Sequence, residues 1–251
     1  MATDSVFKVT EAEHANLDLL MSVCRCWGKY LEAFRETLPN EPLPYLDNEM
    51  SSVGSLAAGI SRFSEKSFII HEAAVKKEGN EKSREGRCDL LAFFPSDRRL
   101  SFEAKRHRRC ITVVDDKEGQ LDLANIEKVF AQDEDEIITS RRSLIGKGLR
   151  DYAKSAGSNQ RVRRRNGSDH VMLLLATVDI DSQQSVDKIK TALEGTVKKI
   201  FNQKVTVRLS TGGTSRKSLA DLPTVGFLYL ESAGEEAPLH HDVLLATMTL
   251  I

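Results

Sequence analysis

No stretch of this chain stays apolar for the roughly 20 residues that a membrane-spanning helix needs, so no membrane association is expected. Its opening residues, Met1-Ala2-Thr3-Asp4-Ser5, lack the basic segment and apolar block of a secretory leader, and a cytoplasmic location is the expectation. Cysteine is scarce: only Cys24, Cys26, Cys88 and Cys110 occur in 251 residues. Cys24 and Cys26, two apart on one helical stretch, point in different directions, so reduced thiols are expected rather than a disulfide framework or a zinc clip. A strong overall field is lacking too, with 36 Lys and Arg against 37 Asp and Glu. Internal repeats and long low-complexity segments are absent. Several catalytic signatures are also missing. Thr211-Gly212-Gly213-Thr214-Ser215-Arg216-Lys217-Ser218 ends in Lys-Ser but lacks the glycine and spacing of a phosphate-binding loop. His240-His241 has no companion ligand at recognisable spacing, and no serine sits in a nucleophile-elbow context.

What is present is ordinary globular material, 40% hydrophobic and 29% charged, enough for one elaborated domain or two small ones. Charge is segregated locally. Residues 115–136 hold nine acids against Lys117 and Lys128, while residues 140–165 hold nine bases against Asp151. A neutral total can thus hide a basic face able to hold a polyanion.

Periodicity predicts a helix over 11–37 with Leu20, Val23, Trp27, Tyr30, Leu31 and Phe34 on one stripe, closed by Pro39, Pro42 and Pro44. A second helix is predicted from an N-cap at Asp47 or Asn48 to about Phe63. Strands follow at Ser67–Val75, Arg87–Phe94 and Leu100–Lys105, then an acidic stretch, a basic helix at about Ser140–Ser155 and an apolar strand Val171–Val178. The remainder reads as a helix Ser185–Phe201, a strand Val205–Leu209, a Gly/Ser/Thr loop, and strands Thr224–Leu230 and Val243–Leu250.

The most informative pattern is Asp89 followed fourteen residues later by Glu103-Ala104-Lys105. Leu100, Phe102 and Ala104 share one strand face, so Ser101, Glu103 and Lys105 share the other, with Glu103 and Lys105 roughly 7 Å apart along the strand. Two carboxylates brought together repel unless a cation lies between them, and oxygen donors suit a hard divalent ion.

These residues resemble the active-site motif of the PD-(D/E)XK nucleases, the restriction-endonuclease-like superfamily. Asp89 matches its lone acid, Glu103-Ala104-Lys105 its (Asp/Glu)-x-Lys, and Glu49 its first-helix glutamate; Cys88 stands where many members have proline. The resemblance spans roughly residues 47–178. It implies an α/β fold with an αβββαβ core, a mixed central sheet flanked by helices. A helical extension (1–44) would precede the core (45–180) and an α/β elaboration (181–251) would follow. It also implies a Mg²⁺-dependent DNA endonuclease, with Mn²⁺ able to substitute. Asp89, Glu103, the Ala104 carbonyl and Glu49, or else Glu72, would hold the metal, and Lys105 would orient water or hold the phosphate. Lys154 and Gln160 are candidates for a polar residue that some members carry on the second core helix. Arg106, Arg108, Arg109, Arg150, Lys154, Arg163, Arg164 and Arg165 are the expected contacts to the backbone of double-stranded DNA, with few aromatics among them for stacking. A homodimer through the first helix stays open. Two bland readings compete: a non-catalytic nucleic-acid-binding or assembly subunit, and a solvated ion-pair ladder worth up to about 1 kcal/mol. The ladder reading turns on whether strand 100–105 lies at a sheet edge.

Overall fold

A computed structural model of the chain describes residues 3–76, 85–131, 143–149, 169–203, 206–210, 214–232 and 240–251. The elements are β1 (Thr3–Lys8), α1 (Leu17–Thr37), α2 (Pro44–Asp47), α3 (Glu49–Ser61), β2 (Phe68–Lys76), β3 (Glu85–Phe94), β4 (Arg98–Arg106), β5 (Ile111–Val114) and α4 (Ala124–Phe130). They continue with α5 (residues 144–149), β6 (Asp169–Asp181), α6 (Val186–Asn202), β7 (Thr206–Ser210), β8 (Thr214–Ser218), β9 (Thr224–Ser232) and β10 (His240–Leu250).

Eight strands form one mixed sheet in the order β1-β9-β10-β6-β4-β3-β2, with β5 also paired to β6. β4 and β5 both run parallel to β6. Leu100–Arg106 pairs with Asp169–Leu175, and Ile111–Val114 pairs with Val178–Asp181. The chain therefore leaves the ladder after Arg106 and rejoins it at Ile111. β4 lies between β3 and β6, an interior position that a surface ion-pair ladder on an edge strand does not have.

Alternation along the strands sorts side chains to two faces. On the inner face, Leu90, Ala92, Leu100, Phe102, Ala104, Leu173 and Leu175 pack with Leu20, Val23, Trp27 and Leu31 of α1 and Val53, Leu56 and Ile60 of α3. Trp27 stacks on Phe227 at 5.0 Å and donates its indole N–H to Ser55 Oγ at 2.9 Å. A Cβ on Gly59 would lie 2.7 Å from the Trp27 Cα, so glycine is what lets α1 and α3 touch backbone to backbone. On the outer face, α4, α5 and α6 cover β5, β6, β9 and β10, and this cluster includes no described residue of β2, β3 or β4.

Most predicted elements are present, with differences at the ends. The first helix starts at Leu17, and the residues before it contain β1, an edge strand antiparallel to β9. β5 stands between β4 and the acidic stretch, where no strand was expected, α4 lies within that stretch, and β8 lies in the segment read as a loop, where pairing with β7 makes it a strand. Helix formation is described over 144–149 only; the rest of the predicted basic helix lies outside the described residues. All four cysteines are thiols, and burial pushes the Cys24 thiol far above its usual range. Among the described residues no helix is long and apolar enough to cross a membrane.

Candidate functional site

The β3–β4 ladder ends at Leu90↔Phe102. Asp89 and Glu103 are the next residue on each strand, so the two carboxylates leave adjacent strands at one level and on one face. Beyond that rung a side chain replaces the backbone acceptor: the Ala104 N–H donates to Asp89 Oδ2 at 2.7 Å. The N–H and C=O of one strand residue point to the same neighbour, so the Ala104 carbonyl faces the same opening. Lys105 Nζ lies 3.4 Å from Glu103 Oε1, with both side chains about four-fifths buried (21% and 19% exposed), which is the pairing that their i, i+2 spacing predicts.

Glu49 opens α3. Asn48 caps that helix by accepting the Ser51 N–H at 2.9 Å, which fixes where Glu49 emerges. Glu49 Oε2 accepts the Arg106 N–H at 2.8 Å, at the point where β4 leaves the ladder. Glu49 thus reaches the strand that carries Glu103, but binds its end, three residues further on. Among the described residues no group of three or more His, Cys, Asp or Glu side chains closes on one point as a metal cage would. Glu72 holds the register position of Asp89, between the rungs His71↔Leu90 and Ala73↔Cys88. Its side chain lies outside the described residues.

The expected phosphate-binding residues separate into three groups. Arg106 is half-buried and donates to the Leu46 carbonyl at 3.1 Å, turned inward toward α2. Arg108 and Arg109 are exposed in the connection between β4 and β5. Arg150, Lys154, Arg163, Arg164 and Arg165 lie outside the described residues, as does Gln160. Sequence reasoning passed over Lys147 on α5. A Cβ on Gly148 would meet Met172 Sδ at 2.5 Å, so α5 presses onto β6 at the rung where Met172 faces Glu103. Burial and the nearby charges of Lys147 and Arg109 hold the His107 imidazole below its usual pKa. The usable signal was Gly146-Lys147-Gly148, two small residues that let a helical lysine approach a sheet.

A second acidic group sits on the inner face at the far end of β6. Glu231, Asp242 and Asp179 stand abreast on β9, β10 and β6. Arg35 pairs with Glu231, and His240 pairs with Asp179 at 3.0 Å. Two of the three carboxylates are therefore compensated from within the protein, as Glu103 is by Lys105. Comparison with known families, curated proteins and solved structures finds no match to this chain.

Proposed function

We propose that the chain is a Mg²⁺-dependent nuclease, most simply a DNA endonuclease, with Asp89, Glu103 and Lys105 at its centre. The observation that carries this reading is the pair of carboxylates at one level on strands that part there, beside a lysine on an interior strand. The element order α3-β2-β3-β4-β5-α4-α5-β6, with β4 parallel to β6, supports it, since it contains the αβββαβ order implied by the motif with β5 and α4 inserted after the third strand.

The donors fit the ion. Magnesium takes oxygen ligands, keeps several waters and is commonly held by one or two carboxylates plus substrate phosphate. Asp89, Glu103 and the Ala104 carbonyl would hold it, with Mn²⁺ able to substitute. A two-carboxylate site completed by substrate needs no third converging acid. When bound, the metal polarises the phosphate and makes a coordinated water more acidic. Glu49 fixes the end of β4 through the Arg106 N–H and so sets the aim of Glu103 and Lys105. Lys105 supplies ammonium donors to a phosphate oxygen or to the attacking water.

The test is plasmid DNA incubated with Mg²⁺ or Mn²⁺. Wild type should nick or linearise it, chelation should stop this, and Glu103→Ala should be inactive. Equal cleavage by Glu103→Ala rejects the site. One observation favours a non-catalytic binder: among the described residues no third acid joins Asp89 and Glu103. Calorimetric titration separates the readings, because a binder takes up no Mg²⁺ or Mn²⁺ at millimolar concentration.

A further inference from the structure

On the sheet face that carries Asp89 and Glu103, β2 presents exposed apolar side chains. Phe68 is 68% exposed and Ile70 48% exposed, on a strand whose alternate residue Ile69 packs into the inner core. Register places them in ranks. Phe68 faces Phe93, which faces Arg99; Ile70 faces Leu91, which faces Ser101; the next rank holds Asp89 and Glu103. The Arg99 guanidinium lies over the Phe93 ring at 5.7 Å and pairs with Asp97. Two aromatic rings and an aliphatic pair thus form a floor that starts one rank from the candidate carboxylates. Phe93 is four residues from Asp89, about 13 Å along the strand.

We propose that this floor is a stacking platform for unpaired bases, so that the substrate is a single strand or a duplex with frayed or extruded nucleotides. The proposal rests on the nuclease reading and names its substrate class. Every base has an apolar face that stacks on an aromatic ring, whereas an intact duplex hides those faces and offers only phosphates and groove edges. Arg99 stands at the end of the floor away from Asp89 and Glu103, where a phosphate can take the place of the exposed Asp97 on its guanidinium. An apolar floor with a guanidinium at its end suits a polyanion with exposed bases.

The test is fluorescence anisotropy with a labelled oligothymidylate and with a closed hairpin duplex, in EDTA so that no strand is cut. Wild type should prefer the single strand. Phe68→Ala, which removes an exposed side chain and leaves the core untouched, should weaken that binding by roughly tenfold or more. Phe68→Trp should keep the affinity and show quenched tryptophan emission on binding. Unchanged affinity in Phe68→Ala, or a preference for the closed duplex, overturns the platform. So does sedimentation showing a dimer that Phe68→Ala dissociates, which would make the face a self-interface. Phe68-dependent binding without Mg²⁺-dependent cleavage would reject the nuclease reading and keep the platform. Glu103-dependent cleavage indifferent to Phe68 would do the reverse.

Discussion

Asp89 takes over an acceptor position that an uninterrupted ladder gives to the backbone. Its carboxylate holds the Ala104 N–H, so one side chain both ends the β3–β4 pairing and stands beside Glu103. Asp89→Asn separates the two roles, because the amide oxygen can still accept that N–H while the charge is gone. The expected result is an unchanged circular dichroism spectrum with cleavage reduced on the order of a hundredfold or more, since charge stabilisation by a bound metal is worth several kcal/mol. Retained cleavage would show that the carboxylate serves the fold alone. The other acid whose environment matters is Asp242, half-buried between strands. Burial and then the Asp179 charge raise its carboxyl pKa, while His240 and Arg35 oppose the rise. The folded protein keeps this proton to a higher pH than the unfolded chain does. Stability is therefore lost as pH climbs from the ordinary carboxylate range to the raised value, and levels off above it. Urea midpoints measured from pH 4 to 8 should show Asp242→Asn gaining on wild type as pH rises; parallel curves would discount the burial. Position on a face was legible for Asp89, Glu103 and Lys105, because a period-2 strand declares its faces. The exposure of Phe68 and Ile70 was not, because their own alternation is the same whether or not a helix covers them.

At the scale of elements, the site depends on how α3 begins. Asn48 has extended backbone and accepts the Ser51 N–H, and Glu49 follows at once as the first helical residue. Asn48→Ala should cost about 1 kcal/mol of stability, the usual loss for an N-cap, measurable from denaturant midpoints. It should also lower cleavage, by freeing the helical turn that delivers Glu49 to the Arg106 N–H. A loss of activity without any loss of stability would mean that the cap is not what places Glu49. This helix start was readable, since Asn before an amphipathic run is a strong local signal. β1, β5 and β8 were not readable for a common reason. Thr3–Lys8, Ile111–Val114 and Thr214–Ser218 are four to six residues long and become strands through partners distant in sequence or across a hairpin. Local pattern cannot report such partners. The interruption of β4 and β5 at 107–110, which leaves Arg108 and Arg109 exposed, is visible only once β6 is seen to pair with both strands.

Across the whole molecule, the sheet separates two chemistries that a net charge of −1 conceals. The inner face at the end of β6 carries Glu231, Asp242 and Asp179, whereas the outer side of β4 and its exit carry Lys105, Arg108 and Arg109, with Lys147 nearby. Under the nuclease reading, Arg108 and Arg109 are the exposed cations that a polyanion would meet at the exit of β4. Arg108 and Arg109 are exposed, and neither belongs to the core. Replacing both with alanine should leave stability within about 0.5 kcal/mol of wild type. If each neutralises one phosphate, the slope of log affinity against log salt should become shallower by about 1.4 for a single strand and about 1.8 for a duplex. The slope is the better measure than affinity at one salt concentration, because it counts phosphates and is insensitive to stacking on Phe68. A double variant with an unchanged slope would mean that nucleic acid does not cross the exit of β4. The path past Glu103 would then have to be sought along the Phe68–Phe93 rank alone.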